Sequence, residues 1–190
     1  GVADLNFARV AYGNGIFVVA GADGYTGYSR VYVYNPQDDS FNKIFEDNTL
    51  CGWPRDVAYD PDHQTWVVVG YLSGLIMVSA DNAQTWQIVY GARNPDYPSC
   101  SAQYGDGMPL HRVRYVNDRL WAWSEAWNSQ RLYFSQDGGY NWNFVPLPIP
   151  QGYVNLQIKG LTFGQGKYVA VGVLDSGSRA YPMLATSTDG

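Results

Sequence analysis

Ser135-Gln136-Asp137-Gly138-Gly139-Tyr140-Asn141-Trp142 separates two apolar runs, and Ser79-Ala80-Asp81-Asn82-Ala83-Gln84-Thr85-Trp86 is the same segment with alanine for the fifth-position glycine. An Asp two residues after a strand-ending Ser can accept backbone N–H bonds across a turn, and Gly supplies a positive φ that a β-carbon would penalise. The Trp can then pack back over the turn. The flanking runs Leu75-Ile76-Met77-Val78 and Gln130-Arg131-Leu132-Tyr133-Phe134 read as the strands that each turn closes.

Upstream of each turn lies a second pattern, which occurs four times: residues 7–21, 55–70, 111–125 and 159–172. Each reads as two short strands about a tight turn, the turns being Gly13-Asn14-Gly15, Asp60 to Gln64, Asn117-Asp118 and Gly164-Gln165-Gly166. Across the four repeats Val10, Val57, Val113 and Leu161 share a column. Tyr12, Tyr59, Tyr115 and Phe163 share another, and Phe17, Trp66, Trp121 and Tyr168 a third. The spacings in that third column are 49, 55 and 47 residues. A period near 50 with aromatic and β-branched strands is propeller-like.

The turn motif resembles that of the Asp-box, or bacterial neuraminidase repeat, β-propellers: Ser/Thr-x-Asp-x-Gly-x-Thr/Asn-Trp. The set Ser135, Asp137, Gly139, Trp142 matches throughout; Ser79, Asp81, Trp86 departs only at Ala83; Ser187 and Asp189 begin a third copy; and residues 34–41 are eroded. The repeat style is also similar to that of phage virion and bacterial surface proteins. The resemblance implies an all-β propeller of four-stranded antiparallel blades, three complete and one partial, at about 7–46, 55–90, 111–147 and 158–190. Propellers close with four to eight blades, so the expectation is a single propeller fragment of a longer chain, with a four-bladed ring closed by an unorthodox strand as the alternative.

Composition narrows function. The 190 residues are 46% hydrophobic and 16% aromatic, which excludes a disordered chain. A net charge of −5 argues against sequence-blind nucleic-acid binding, and no apolar stretch is long enough to insert in a membrane. His63 and His111 show no metal-ligand spacing, Asp60-Pro61-Asp62 lacks the rest of a calcium loop, and no phosphate loop occurs, so neither metal nor cofactor is expected. Low Lys with abundant Tyr, Asn, Gly and Trp points to an extracellular or virion setting. Cys51 and Cys100 fall in loops leading into successive repeats. They are candidates for a disulfide worth about 4 kcal/mol in an oxidising compartment, or else are two free thiols.

In propellers of this kind the boxes are scaffold and ligands sit on the opposite, loop-rich face. The expected ligand-binding residues there are Tyr25, Tyr28, Trp53, Tyr97, Tyr104, Glu125, Trp127, Arg179 and Tyr181, of which Tyr97 and Tyr104 lie in the long 91–110 loop. Aromatic faces beside Asp, Asn and Arg suit a sugar, and equally suit a protein interface or the covering of the blade ends. Glu125 stands in a column otherwise occupied by Gly21, Gly70 and Gly172, so it is the one candidate general acid, or else a solvated carboxylate paired with Arg131. Arg9, Arg55, Arg112 and Arg114 open first strands, but the sialidase motif that precedes the first box is missing. The reading is a non-catalytic recognition propeller binding a glycan or protein receptor, with a sialidase-type glycoside hydrolase and a purely architectural virion part, packed on neighbouring subunits, as alternatives.

Overall fold

The computed structural model describes residues 5–23, 28–72, 74–93, 109–126 and 130–189, and every regular element among them is a strand. Four antiparallel sheets follow one another along the chain. The first is the meander β1 (Leu5–Gly13), β2 (Ile16–Asp23), β3 (Ser29–Asn35) and β4 (Ser40–Asp47). The second is β5 (Leu50–Asp60), β6 (Thr65–Leu72), β7 (Ile76–Ser79) and β8 (Gln87–Tyr90), with the two-residue β9 (Ala92–Arg93) added beyond β5. The third is β10 (Arg112–Tyr115), β11 (Leu120–Trp123), β12 (Arg131–Ser135) and β13 (Asn143–Pro146). The fourth has three strands: β14 (Asn155–Gly164), β15 (Lys167–Asp175) and β16 (Ala180–Ser187). No sheet closes on itself, and β9 is an addition that the repeat pattern does not announce.

The first hairpin turns take the conformation their residues predict. Asn14 and Gly15 have φ of 44° and 81°, Asn117 and Asp118 51° and 57°, Gln165 and Gly166 52° and 73°. Two successive positive φ values make the turn whose twist matches that of the strands it joins. The second sheet has a longer turn, braced by buried Asp60, whose Oδ1 accepts the Asp62 and His63 amides at 3.0 and 3.2 Å.

These turns fix the register, and the register corrects the alignment. Phe17 pairs with Tyr12, Trp66 with Tyr59 and Tyr168 with Phe163, but in the third sheet Tyr115 pairs with Leu120, and Trp121 pairs with Arg114. Leu120, not Trp121, occupies the aromatic column. A one-residue slip turns each side chain to the other face, and the packing agrees. Trp66 and Val68 pack toward the first sheet, on Val18, Ala20 and Val31, while Val67 and Val69 pack toward the third, on Val113, Leu120 and Ala122. Trp121 and Trp123 pack forward on Ile158, Tyr168 and Ala170 of the fourth. Each central strand is therefore apolar on both faces, which is why these runs lack clean polar alternation.

Polar ties cross each of the same seams. The Ser29 hydroxyl donates to the Gly52 carbonyl at 3.0 Å, Thr65 Oγ1 to the Gly138 carbonyl at 2.9 Å, and Asn117 Nδ2 to the Tyr168 hydroxyl at 2.8 Å. Asp56, buried, accepts the Val57 and Val113 amides at 3.0 and 3.3 Å and Arg114 Nη1 at 3.1 Å. Burial raises its carboxyl pKa, with the Arg114 charge and the two amides pulling the other way.

The two Ser-x-Asp turns carry the same hydrogen bonds. Ser79 Oγ donates to Asp81 Oδ1 at 2.8 Å and accepts the Ala83 amide at 3.0 Å; Asp81 then accepts the Gln84 and Thr85 amides and the Thr85 hydroxyl. Ser135, Asp137, Gly139, Tyr140 and Asn141 repeat this arrangement, and each indole N–H donates to the carbonyl of the fifth residue, Ala83 or Gly139. Partial burial of the Asp81 carboxylate acts to raise its pKa, but these donors outweigh it and hold the group at about 2. Ala83 adopts the positive φ of its glycine counterpart, 66° against 96°. Ser187 and Asp189 form the start of the same network. The first-sheet turn differs throughout: Asn35 and Asp38 cap the Gln37 and Ser40 amides instead.

Candidate functional site

The strand ends away from the Ser-x-Asp turns gather a chain of polar and aromatic groups across the second and third sheets. Arg112 Nε donates to Glu125 Oε1 at 2.8 Å. The Glu125 amide donates to His111 Nδ1 at 3.2 Å, and the Ser124 hydroxyl lies 3.3 Å from the same nitrogen. The His111 ring stands 5.1 Å from that of Tyr71, and the Arg55 guanidinium carbon 5.3 Å from the Tyr71 ring centroid. Trp53 is the cross-strand partner of Tyr71.

Local backbone explains why these residues meet. In the second and fourth sheets the first strand carries a bulge that leaves Arg55 or Lys159 as the extra residue, opposite a step that includes Gly70 or Gly172. A β-carbon on Gly70 would sit 2.6 Å from the Trp53 carbonyl oxygen, and one on Gly172 2.0 Å from that of Gln157. In the third sheet the ladder begins at Arg112, opposite Trp123, and the His111 amide donates to the Trp123 carbonyl at 2.9 Å. By its register the position equivalent to Gly70 is Ser124, so the glycine column assigned to Glu125 belongs to its neighbour. Glu125 lies two residues beyond the end of β11, and it pairs with Arg112, not Arg131. There the His111 ring accepts the backbone amide of Glu125.

The bond fixes the tautomer. Since Nδ1 accepts the Glu125 amide, the neutral ring carries its proton on Nε2. Burial lowers the His111 pKa first, and the charge of Arg55 adds to this, with Arg112 and Lys159 contributing and Glu125 opposing. A depressed histidine pKa means that the unfolded chain binds the proton more tightly. The stability tied to the neutral ring is thus complete above the ordinary value of 6.5 and is lost as pH falls from there through the depressed one. Thermal melts from pH 7.5 to 5 should show Tm falling, and falling less steeply in His111→Asn, whose carbonyl can accept the amide without titrating.

The other expected ligand-binding residues fall into separate groups. Tyr28 lies 5.9 Å from Arg30, which is ion-paired to Asp23 and Glu46 in the first sheet. Tyr181 packs edge-on to Tyr153 at 5.7 Å in the fourth sheet, beside exposed Arg179. Tyr25, Tyr97, Tyr104 and Trp127 lie outside the described residues, as does Cys100 and with it the proposed bridge to Cys51. The sequence reading passed over Tyr71 and gave His111 no role. The available signal was the juxtaposition of His111 and Arg112 at the opening of a strand.

Among the described residues no group of three or more His, Cys, Asp or Glu side chains could hold a metal, and no helix is long and apolar enough to cross a membrane. No protein-family model matches the sequence, and no curated protein matches it either. Solved structures do share the fold. A glycoside hydrolase aligns with 98% of this chain and 46% of its own at 9% identity, TM-score 0.50. A structure of a nidogen/laminin complex aligns over 87% and 59% at 13% identity, and TolB from Acinetobacter baumannii over 93% and 39% at 12%, each with TM-score 0.51. The chain spans less than two thirds of each of these neighbours. At such identities the likeness is of fold alone: an all-β chain of antiparallel sheets with propeller-type and glycosidase neighbours.

Proposed function

We propose that this chain is a segment of an Asp-box β-propeller in a longer extracellular or virion protein, and that its loop-rich face binds a glycan without cleaving it. The observation that carries the reading is the Arg112–Glu125–His111–Tyr71–Arg55 array, which spans two sheets at one end and offers a ring beside paired charges. A sugar presents a C–H face to stack and hydroxyls to bond, and this array supplies partners for both. Arg9 acts electrostatically on Arg55, and Arg55, Arg112 and Lys159 on His111, so the surroundings favour an acidic sugar. The hydrogen-bond pattern shared by the Ser79 and Ser135 turns supports the Asp-box assignment.

Recognition fits Glu125 better than catalysis does. Most glycoside hydrolases set two carboxyl groups about 5 to 9 Å apart across the scissile bond, and sialidases set a tyrosine nucleophile, whereas the described side-chain partner of Glu125 is a guanidinium. The test uses the full-length protein on a glycan array that includes sialosides, beside a fluorogenic sialoside. Binding without turnover is expected, weakened about tenfold by Trp53→Ala. Turnover that disappears in Glu125→Gln would make the protein a hydrolase. Neither binding nor turnover would leave an architectural role.

A further inference from the structure

Between the second and third sheets lies a cleft of about 370 Å³ whose lining includes none of the residues of the array around Glu125. Tyr90 of β8 forms one wall; Arg131 and Tyr133 of β12, Tyr140 and Trp142 of the turn, and Phe144 of β13 form the other. Three of these rings are exposed: Tyr90 and Phe144 are 48% exposed and Tyr140 37%. The wall is rigid, because the Trp142 indole donates to the Gly139 carbonyl at 2.7 Å and the Tyr140 amide to Asp137 at 3.1 Å. The cleft one sheet earlier, between the first sheet's outer strands and the second sheet's turn, is lined by groups such as Asn35, Ser40, Asn42, Lys43 and Gln84 and holds no aromatic ring. The exposed rings therefore set this cleft apart from the one before it.

Arg131 decides what fits. Its guanidinium carbon stands 4.4 Å from the Phe144 ring centroid, its side chain is exposed, and no carboxylate among the described residues pairs with it. The aligned position in the second sheet is Leu75, buried in the core. A stacked guanidinium keeps its edge donors free for a planar oxyanion. Exposed rings accept the C–H face of a pyranose, and the phenol groups of Tyr90 and Tyr140 can meet its hydroxyls. We infer that this cleft is a second saccharide site, taking a pyranose that carries one anionic group, with Arg131 on the anion and Phe144 and Tyr90 against the ring. It uses neither Glu125 nor Trp53, so it stands or falls apart from the loop-face reading.

The test titrates the full-length protein, by calorimetry, with a galacturonate tetramer, its methyl ester, a 6-sulfated galactose tetramer and a glutamate octapeptide. Binding of the galacturonate or the sulfated sugar is expected, and the tighter of the two identifies the anion as carboxylate or sulfate. Arg131→Gln should weaken it about tenfold and Phe144→Ala about fivefold, with Lys43→Gln, in the cleft one sheet earlier, leaving this binding unchanged. Both altered side chains are exposed, and unchanged melting temperatures will confirm folding. The inference is overturned if neither acidic sugar binds, if galacturonate binds and its methyl ester binds as tightly, if the peptide binds more tightly than both sugars, or if Arg131→Gln has no effect.

Discussion

Gly70→Ala should destabilise the protein by more than about 3 kcal/mol in urea denaturation, while Ser124→Ala, at the equivalent place one sheet later, should cost about 1 kcal/mol. The two positions differ in what a β-carbon meets. At Gly70 it would stand 2.6 Å from the Trp53 carbonyl oxygen, 3.0 Å from its carbon and 3.1 Å from Leu75 Cβ. Two of those three atoms are backbone, held by the β5–β6 ladder, and the Gly70 carbonyl also accepts the Leu110 amide at 3.1 Å where the chain approaches the third sheet. The strand can yield only by breaking pairs on two sheets. Position 124 already carries a buried side chain, and alanine there loses the serine hydroxyl that accepts the Ala126 amide at 3.0 Å and lies 3.3 Å from His111 Nδ1. Equal losses at the two positions would show that the approach of the Trp53 carbonyl is not what demands glycine.

Trp66→Ala should cost about 3–5 kcal/mol, the range of a fully buried large-to-small change. The side chain is 0% exposed between the first and second sheets, with its ring 4.9 Å from that of Tyr59 and its N–H donating to Asn82 at 3.3 Å. Its neighbours Val18, Ala20, Val31 and Met77 belong to packed strands that cannot close over the void. Phe17, the register equivalent in the first sheet, is only half-buried, so Phe17→Ala should cost less than half as much. Chemical denaturation of both variants checks the pair; a Trp66→Ala variant as stable as the parent would mean that the seam between these sheets does not hold the fold together.

Much of the fold was legible because it is local. Asn14-Gly15 and Asn117-Asp118 specify hairpin turns through their tolerance of positive φ, and Ser-x-Asp-x-x-x-Thr/Asn-Trp closes on itself within eight residues. The candidate site was legible only in part. Glu125 and Trp53 were singled out, but the third-repeat alignment placed Trp121 where Leu120 stands and gave Glu125 the glycine position of Ser124. Both are apolar-run ambiguities: in Leu120-Trp121-Ala122-Trp123 both faces are buried, so the sequence carries no alternation to fix the phase.

The sequence by itself determined the strands, their hairpins and the repeating turn, since each depends on the torsional preferences and hydrogen bonds of residues within one short segment. Tertiary structure alone decided which carboxylate meets which cation, that Arg112 and not Arg131 holds Glu125, and that the seam between the second and third sheets opens into an aromatic cleft. Those relations join residues through bulges, register and the packing of one sheet on the next, and a shift of a single residue in any of them sends a side chain to the opposite face.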